Sequence, residues 1–477
     1  MPPVDELTFA TATDLLGRMR AGDLSPVELL DACLARIKAV DPRVNAFIEL
    51  LPDSAREAAV ESERRYRDGE ARALEGLPVP VKDIALVAGT TMTMGSRMAL
   101  DFPMPMDSEV VARLRAAGAV IFGKTHMPEF GSTVAGESAR YGATHNPWDL
   151  ERTPGGSSSG AAAAVAAGMA PVAHGADGGG SLRIPAAACG LFAVKPSRGR
   201  ISMEPLGDIT ENTVYGFITR SVLDSALLID QTEGYAVGDP YWSSPLARPL
   251  VEEVGADPGR LRVGWTVRPP IDVEVNPDWA AAVEEAAGLC ESLGHEVEHH
   301  DVDWVDEEMQ GLFLVLWSAE FSFAVEALRR FGLDPDLLEP HNRALWELGK
   351  EHSATAYVTA RGRMHDMLKR VLESWSRYDV VLSPVMAQPP PRIGWLFEDV
   401  DADPLSPLLP RSAMIAPFTT LLNFTGQPAA SLPLAWSGDG LPIGVQAIGN
   451  MGDEATLFRL SAQLEAARPW GDRRPPL

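Results

Sequence analysis

Short apolar runs alternate with segments whose apolar residues recur every three or four positions, from about residue 76 to the end of the chain. The run "LPVPVKDIAL" predicts a strand, and "DSEVVARLRAAGAVIFGKT" predicts a helix that turns at Gly118 into a second strand. "AAAAVAAGMAPVAHGADGGGS" adds a small-sided helix, a short strand carrying His174 and a glycine turn. "NPDWAAAVEEAAGLCESLGHEVEHHDVDW" repeats the helix-to-strand order, as do the strand "GLPIGVQAIG" and the helix "DEATLFRLSAQLEAA" near the C-terminus. Ahead of this alternation, residues 1–65 read as helical. There "LSPVELLDACLARIKAV" has Ser25 as N-cap and Pro26 in the first helical position. Residues 305–375 read as a helical insert, followed by the strand of "YDVVLSPVMAQPPPRIGW". The pattern predicts an α/β protein with one large, mixed, twisted sheet covered by helices on both faces. Because strands are expected on both sides of the insert, residues 1–477 read as one unit, with motif-bearing segments at 66–230.

Composition narrows the function classes. The 477 residues are 45% hydrophobic and 22% charged, as in ordinary globular proteins, but the net charge is −25. Such a surface repels phosphate backbones and anionic lipid, so neither nucleic acid nor membrane is expected as a partner. No uninterrupted apolar stretch approaches the roughly 18–20 residues of a membrane span. The N-terminus lacks the basic start and apolar run of a signal peptide. Cys33, Cys189 and Cys290 are too few and too scattered for a disulfide framework or a metal knuckle, which suits a reducing cytoplasm. No metal or cofactor site is expected, and a homodimer is compatible with the sequence.

Two motifs fail on context. "HEVEH", His295 to His299, has zinc-protease spacing, but Gly294 ends a helix before it and the following residues alternate like a strand. In a strand, residues four apart lie about 13 Å from each other, too far to share one ion. Gly156 to Gly160 matches G-x-S-x-G around Ser158, but "NPWDLERTP" ahead of it is too polar for the strand a nucleophile elbow needs.

A third constellation carries chemistry. "TPGGSSSGAAAAVAAG" and "GADGGGSLRIPAAACG" both run from glycines through serine into small residues. Consecutive glycines can turn several N–H groups into one concavity that receives a developing oxyanion. A serine beside it needs a base, and a buried, neutral lysine can serve. Lys82 ends the apolar run "VPVK"; on these residues alone, a lysine extending its stem along apolar surface is the competing reading.

Together with "PVPVKDIALVAG", "KPSRGRIS" and "NFTGQPAASLP", these segments closely resemble the amidase signature family of serine hydrolases, from about residue 10 to 470. The resemblance implies that family's fold and a Ser-cisSer-Lys triad. Ser181 corresponds to its nucleophile, Ser157 to the bridging serine on a cis peptide, and Lys82 to the base. It further implies an oxyanion site from the backbone of Gly178, Gly179, Gly180 and Ser181, with the Gly131 carbonyl facing the pocket. Ser158 and Ser159 become loop or capping residues, Lys124 and Lys195 structural lysines, and Asp177 and Arg183 braces for the loop. Two positions depart from the family pattern: Gly178 stands where threonine is common and His126 where asparagine is common.

The implied activity is hydrolysis of carboxylic amides, with carbamates or esters as related substrates, through an acyl-enzyme and without a cofactor. "GLFLVLWSAEFSF" and the helices of Trp346 and Trp375 offer apolar walls, which favours apolar or aryl amides. The segment around the serines looks most like hydrolases of cyclic amide dimers and urethane-cleaving amidases. Two alternatives stand beside this. The amidase-type component of a tRNA-dependent amidotransferase typically has glutamine where this chain has Ile184, and a non-catalytic binding protein would not need lysine and both serines in register.

Overall fold

The computed structural model describes residues 4–99, 102–207, 212–300, 304, 308–399 and 404–477. The N-terminal helices form as their caps dictate. Pro26–Val44 begins where Ser25 Oγ accepts from the N–H of Val27 at 3.0 Å and Glu28 reaches back to the Ser25 N–H. It ends at Asn45, which turns left-handed at φ 58°. The expectation of helix throughout 1–65 misses the strand Phe47–Leu50, four residues between this helix and Pro52–Asp68. That strand pairs antiparallel with Val120–Thr125, which in turn pairs parallel with Pro78–Lys82. A strand so short, with one face on a neighbour, shows no period of its own in the sequence.

The larger sheet has eight strands. One half runs Glu296–His299, Arg262–Trp265, Val380–Pro384 and Pro442–Gly449; the other continues Ala429–Trp436, Phe192–Lys195, Val214–Thr219 and Val172–Asp177. The first two pairings are parallel and the rest antiparallel, so the sheet is mixed. Strands from both sides of the helical segment therefore share one sheet. All eight residues of Pro442–Gly449 are buried. Since alternate side chains point to opposite faces, both faces of the sheet are covered. Helices Pro277–Ser292 and Glu454–Ala467 pack against it, and Ala187 of Arg183–Cys189 sits directly over Gly444.

Within the expected helical insert lie Met309–Arg329, Pro340–Glu351 and Ala354–Trp375; residues 305–307 fall outside the described residues. Met309–Arg329 is long and apolar enough, by length and composition, to cross a membrane, with a mean hydropathy of 1.5 over 18 residues. No uninterrupted run stands out in the sequence because Ser318, Glu320, Ser322 and Glu326 break it. In this fold the helix packs against the other two and turns residues toward the cavity described next.

Candidate active site

Lys82 closes the buried strand Pro78–Lys82 and is itself 1% exposed. Its Nζ lies 2.7 Å from Ser157 Oγ. Burial lowers its pKa to about 7, against the pull of the Asp177 charge, so a large share of the amine is uncharged near neutrality. The other two buried lysines are committed elsewhere. Lys124 pairs with the buried Asp83, and Lys195 donates to the Pro196 carbonyl at 2.9 Å. Both are structural, as expected.

Ser157 stands on a cis peptide after Gly156. Gly131 meets it from the other side: at φ +69°, a Cβ here would come 2.9 Å from Ser157 Oγ, so only glycine fits. The next two serines do not cap the helix Ser159–Ala166 with their side chains. Ser158 Oγ donates to the Ala176 carbonyl at 3.1 Å, and Ser159 Oγ to the His126 carbonyl at 3.2 Å. They fasten the loop to its neighbours. The Ser158 N–H then donates to the Ser181 carbonyl at 3.2 Å, joining the two serine loops directly. Small residues make this approach possible: Ala161, Ala162 and Val165 pack on Leu182, Ala186 and Cys189 in one buried cluster.

The glycine run after Val172–Asp177 is held from below. Asp177 receives the Gly180 N–H at 2.7 Å and the Leu182 N–H at 3.1 Å, and pairs with Arg183 at 2.9 Å. Burial alone would raise the Asp177 pKa; the Arg183 guanidinium and Asn423 overcome it and hold the carboxyl well below its usual range. Arg183 also donates to the Thr419 carbonyl, Gln446 Oε1 and Asn423 Oδ1 at 3.0, 2.8 and 2.7 Å. The bracing role expected of Asp177 and Arg183 is what these contacts describe. One expectation changes. The Thr419 hydroxyl holds the Gly179 carbonyl at 2.7 Å while Asp177 holds the Gly180 N–H on the same peptide unit. Gly180 is therefore turned away from the cavity and is not among its lining residues, whereas Gly178, Gly179 and Ser181 are.

Lys82, Ser157, Ser181 and Gly131 all open onto a cavity of about 820 Å³. Much of its lining is apolar, including Phe313, Leu314, Trp317, Leu409 and Phe424. Of the two further helices expected as walls, Ala354–Trp375 reaches the cavity through Met364, whereas no residue of Pro340–Glu351 lines it; Trp346 and Trp375 themselves are buried in separate cores. Other sequence candidates lie apart from the site. His295 binds Gln463 at 2.7 Å and His299 meets the Trp265 ring edge-on, the latter in a strand as anticipated. His174 is buried close to Lys82, but burial lowers its pKa to about 3, and neither ring nitrogen has a hydrogen-bond partner among the described residues. Such a group is a poor base. Sequence reasoning missed Thr419 and Gln446 as braces. Asn423 is visible inside "NFTGQPAASLP", but nothing there marks its role.

The profile of the family described as Amidase matches residues 28–458. The chain belongs to the amidase signature family. AmiB2 of Mycobacterium tuberculosis is 40% identical over 100% of this chain and 99% of its own. The 6-aminohexanoate-cyclic-dimer hydrolase of Paenarthrobacter ureafaciens is 35% identical over 100% and 98%. A solved 6-aminohexanoate cyclic dimer hydrolase, complexed with substrate, superposes with a TM-score of 0.92 at 34% identity, covering 98% of this chain and 99% of that one. A bacterial aryl acylamidase of the same family gives 0.88 at 26%, over 97% and 98%. A glutamyl-tRNA(Gln) amidotransferase component from Thermotoga maritima is more distant, at 0.77 and 27%, over 97% and 96%. This amidase is accordingly an enzyme that hydrolyses amide C–N bonds of small molecules.

Proposed function

We propose that this amidase works through an acyl-enzyme on Ser181, with Ser157 as proton relay and Lys82 as base. The observation that carries the reading is the 2.7 Å approach of a buried amine, its pKa lowered to about 7, to Ser157, on a loop bonded directly to that of Ser181. Neutral Lys82 accepts the Ser157 proton as Ser157 takes that of Ser181, whose oxygen attacks the carbonyl carbon. The N–H groups of Gly178, Gly179 and Ser181 receive the oxyanion; Gly180, with its N–H committed to Asp177, shapes the loop instead. Ser157 then passes a proton to the leaving amine, and water releases the acyl group by the same relay. No step calls for a metal or organic cofactor.

For substrate, apolar or aryl amides are favoured, with cyclic oligoamides and carbamates of the urethane type as specific candidates. The size of the cavity, its apolar wall and the names of the hydrolases this chain resembles support that range. The triad comes from one polypeptide, so residues 1–477 act as one catalytic unit with 309–375 shaping the pocket, in a monomer or a homodimer alike. Three buried, unpaired cysteines and the net charge of −25 fit action in the cytoplasm, away from nucleic acid and membrane. A fluorophosphonate probe tests the core of this proposal: it should label Ser181 and block amide hydrolysis, and labelling that persists in Ser181→Ala would refute it. A panel of anilides, aliphatic amides, carbamates, esters and glutamine then sorts substrates; release of ammonia from glutamine as the leading activity would restore the amidotransferase reading.

A further inference from the structure

Two adjacent threonines meet the glycine run, and they divide their work. Thr419 is fully buried, and its hydroxyl holds the Gly179 carbonyl at 2.7 Å. Thr420 is half-buried, lines the cavity and donates to the same carbonyl at a longer 3.2 Å. One such bond already orients that peptide, so the second hydroxyl is not needed as a brace. Thr420 stands in the N-cap position of the short helix Leu421–Thr425, where a threonine hydroxyl usually accepts a backbone N–H of the first turn. Here it accepts none. Among the described residues its hydroxyl makes only the bond it gives to Gly179, so both oxygen lone pairs stay open. A Cβ on Gly179 would lie 3.5 Å from this oxygen. The hydroxyl thus overlooks the bare face of a residue whose N–H is proposed to receive the oxyanion.

We propose that Thr420 Oγ is an acceptor subsite for an N–H in the acyl part of the substrate, close to the scissile carbonyl. The proposal rests on the reading of Ser181 as nucleophile. That reading places the leaving amine against Ser157, which must pass it a proton and which Gly131 meets from the other side. Thr420 hydrogen-bonds Gly179 rather than Ser157, so the group it meets is the one that stays on Ser181. Its hydrogen is committed to the Gly179 carbonyl, so only its lone pairs face the substrate, and the atom they select is a donor. An acyl chain that fills this corner removes its water. A CH2 beside the oxygen then returns nothing, an ester oxygen adds repulsion, and an N–H restores the bond. A site that bonds one polar group rejects analogues lacking it more strongly than an apolar pocket separates homologues. The class this favours is N-acylaminoacyl amides, together with ureas and carbamates whose N–H remains on the acyl side.

Matched 4-nitroanilides test this with the intact enzyme. One acyl set exchanges a single group along the chain: N-acetylglycyl carries N–H, levulinoyl CH2 and acetoxyacetyl oxygen. A second acyl set makes the exchange on the carbonyl itself, N-ethylcarbamoyl against butanoyl. Thr420→Val keeps the side-chain shape and removes the hydroxyl. From wild type to this variant, the kcat/KM of the N–H member relative to its partners should fall roughly tenfold in at least one acyl set. Thr420→Ser, which retains the hydroxyl, should hold the wild-type ratio within about twofold. The ratio within each variant is the readout, so intrinsic reactivity and any general loss of support for Gly179 cancel. A third set, butanoyl 4-nitroanilide against butanoyl 4-nitrophenyl ester, exchanges N–H for oxygen on the leaving side, and its ratio should not follow the substitution. Unchanged ratios in both acyl sets, or a change as large or larger in the leaving-side set, overturn this inference while an inactive Ser181→Ala leaves the triad standing. Hydrolysis by Ser181→Ala would instead overturn the reading on which it rests.

Discussion

Around Ser181, polar groups are buried and mutually bonded. Asp177 alone takes three backbone N–H groups, the Arg183 guanidinium and the Asn423 amide. Across the same cavity, the wall made by 309–320 and 405–424 presents half-buried Phe313, Leu314 and Trp317, and a single carboxylate. The first region fixes peptide orientations, because a braced N–H or carbonyl that moved would be left unbonded in a low-dielectric interior. The second makes contacts that are non-directional and scale with area, so its residues can change without disturbing the first. On the proposed mechanism, chemistry resides in the hydrogen-bonded half and selectivity in the apolar half.

The sharpest way to break this comparison is at the triad. Ser181→Ala and Lys82→Ala should each cost about a thousandfold or more in kcat with thermal stability retained, measured by hydrolysis and melting on the same samples. Next in size is the brace. Arg183→Met leaves Asp177 charged and buried without its cation, and should destabilise the fold by about 3–5 kcal/mol while depressing kcat; denaturant unfolding would read this, and a wild-type midpoint would show that the loop holds itself. The pH profile comes third. Lys82 must be neutral to act, and its pKa is lowered to about 7, so kcat/KM should fall about tenfold per pH unit below that value and level off above it. A profile flat from pH 5 to 8 would remove Lys82 as base. The smallest effect belongs to the wall: Trp317→Ala should raise KM for aryl anilides roughly tenfold, with less change for short aliphatic amides and little in kcat.

Much of the candidate site is legible in the sequence because the residues proposed to react lie in local motifs. Lys82 ends an apolar run, and Ser157 and Ser181 each follow glycines and precede small residues, patterns that a few neighbouring positions define. The strand fate of "HEVEH" is equally local, set by Gly294 and alternation. Long-range partners are not legible. Thr419, Asn423 and Gln446 meet Arg183 across more than 230 residues of chain, and a threonine or glutamine carries no mark of the guanidinium it will bind. Trp346 and Trp375 depart from expectation for a related reason. An apolar helical face shows that it will be buried, but whether against a cavity or another helix depends on how three helices cross.

The order of residues in this chain determined the αβ alternation, the capped N-terminal helices and the identity of the reacting groups, since each depends on side chains within a turn or two. Only the tertiary structure decided which glycines line the cavity and which residues of an apolar helix open onto it. Both outcomes depend on where distant segments come to rest: Asp177 and Thr419 claim the two ends of one peptide unit, and Met309–Arg329 comes to line the same cavity as the serine loops.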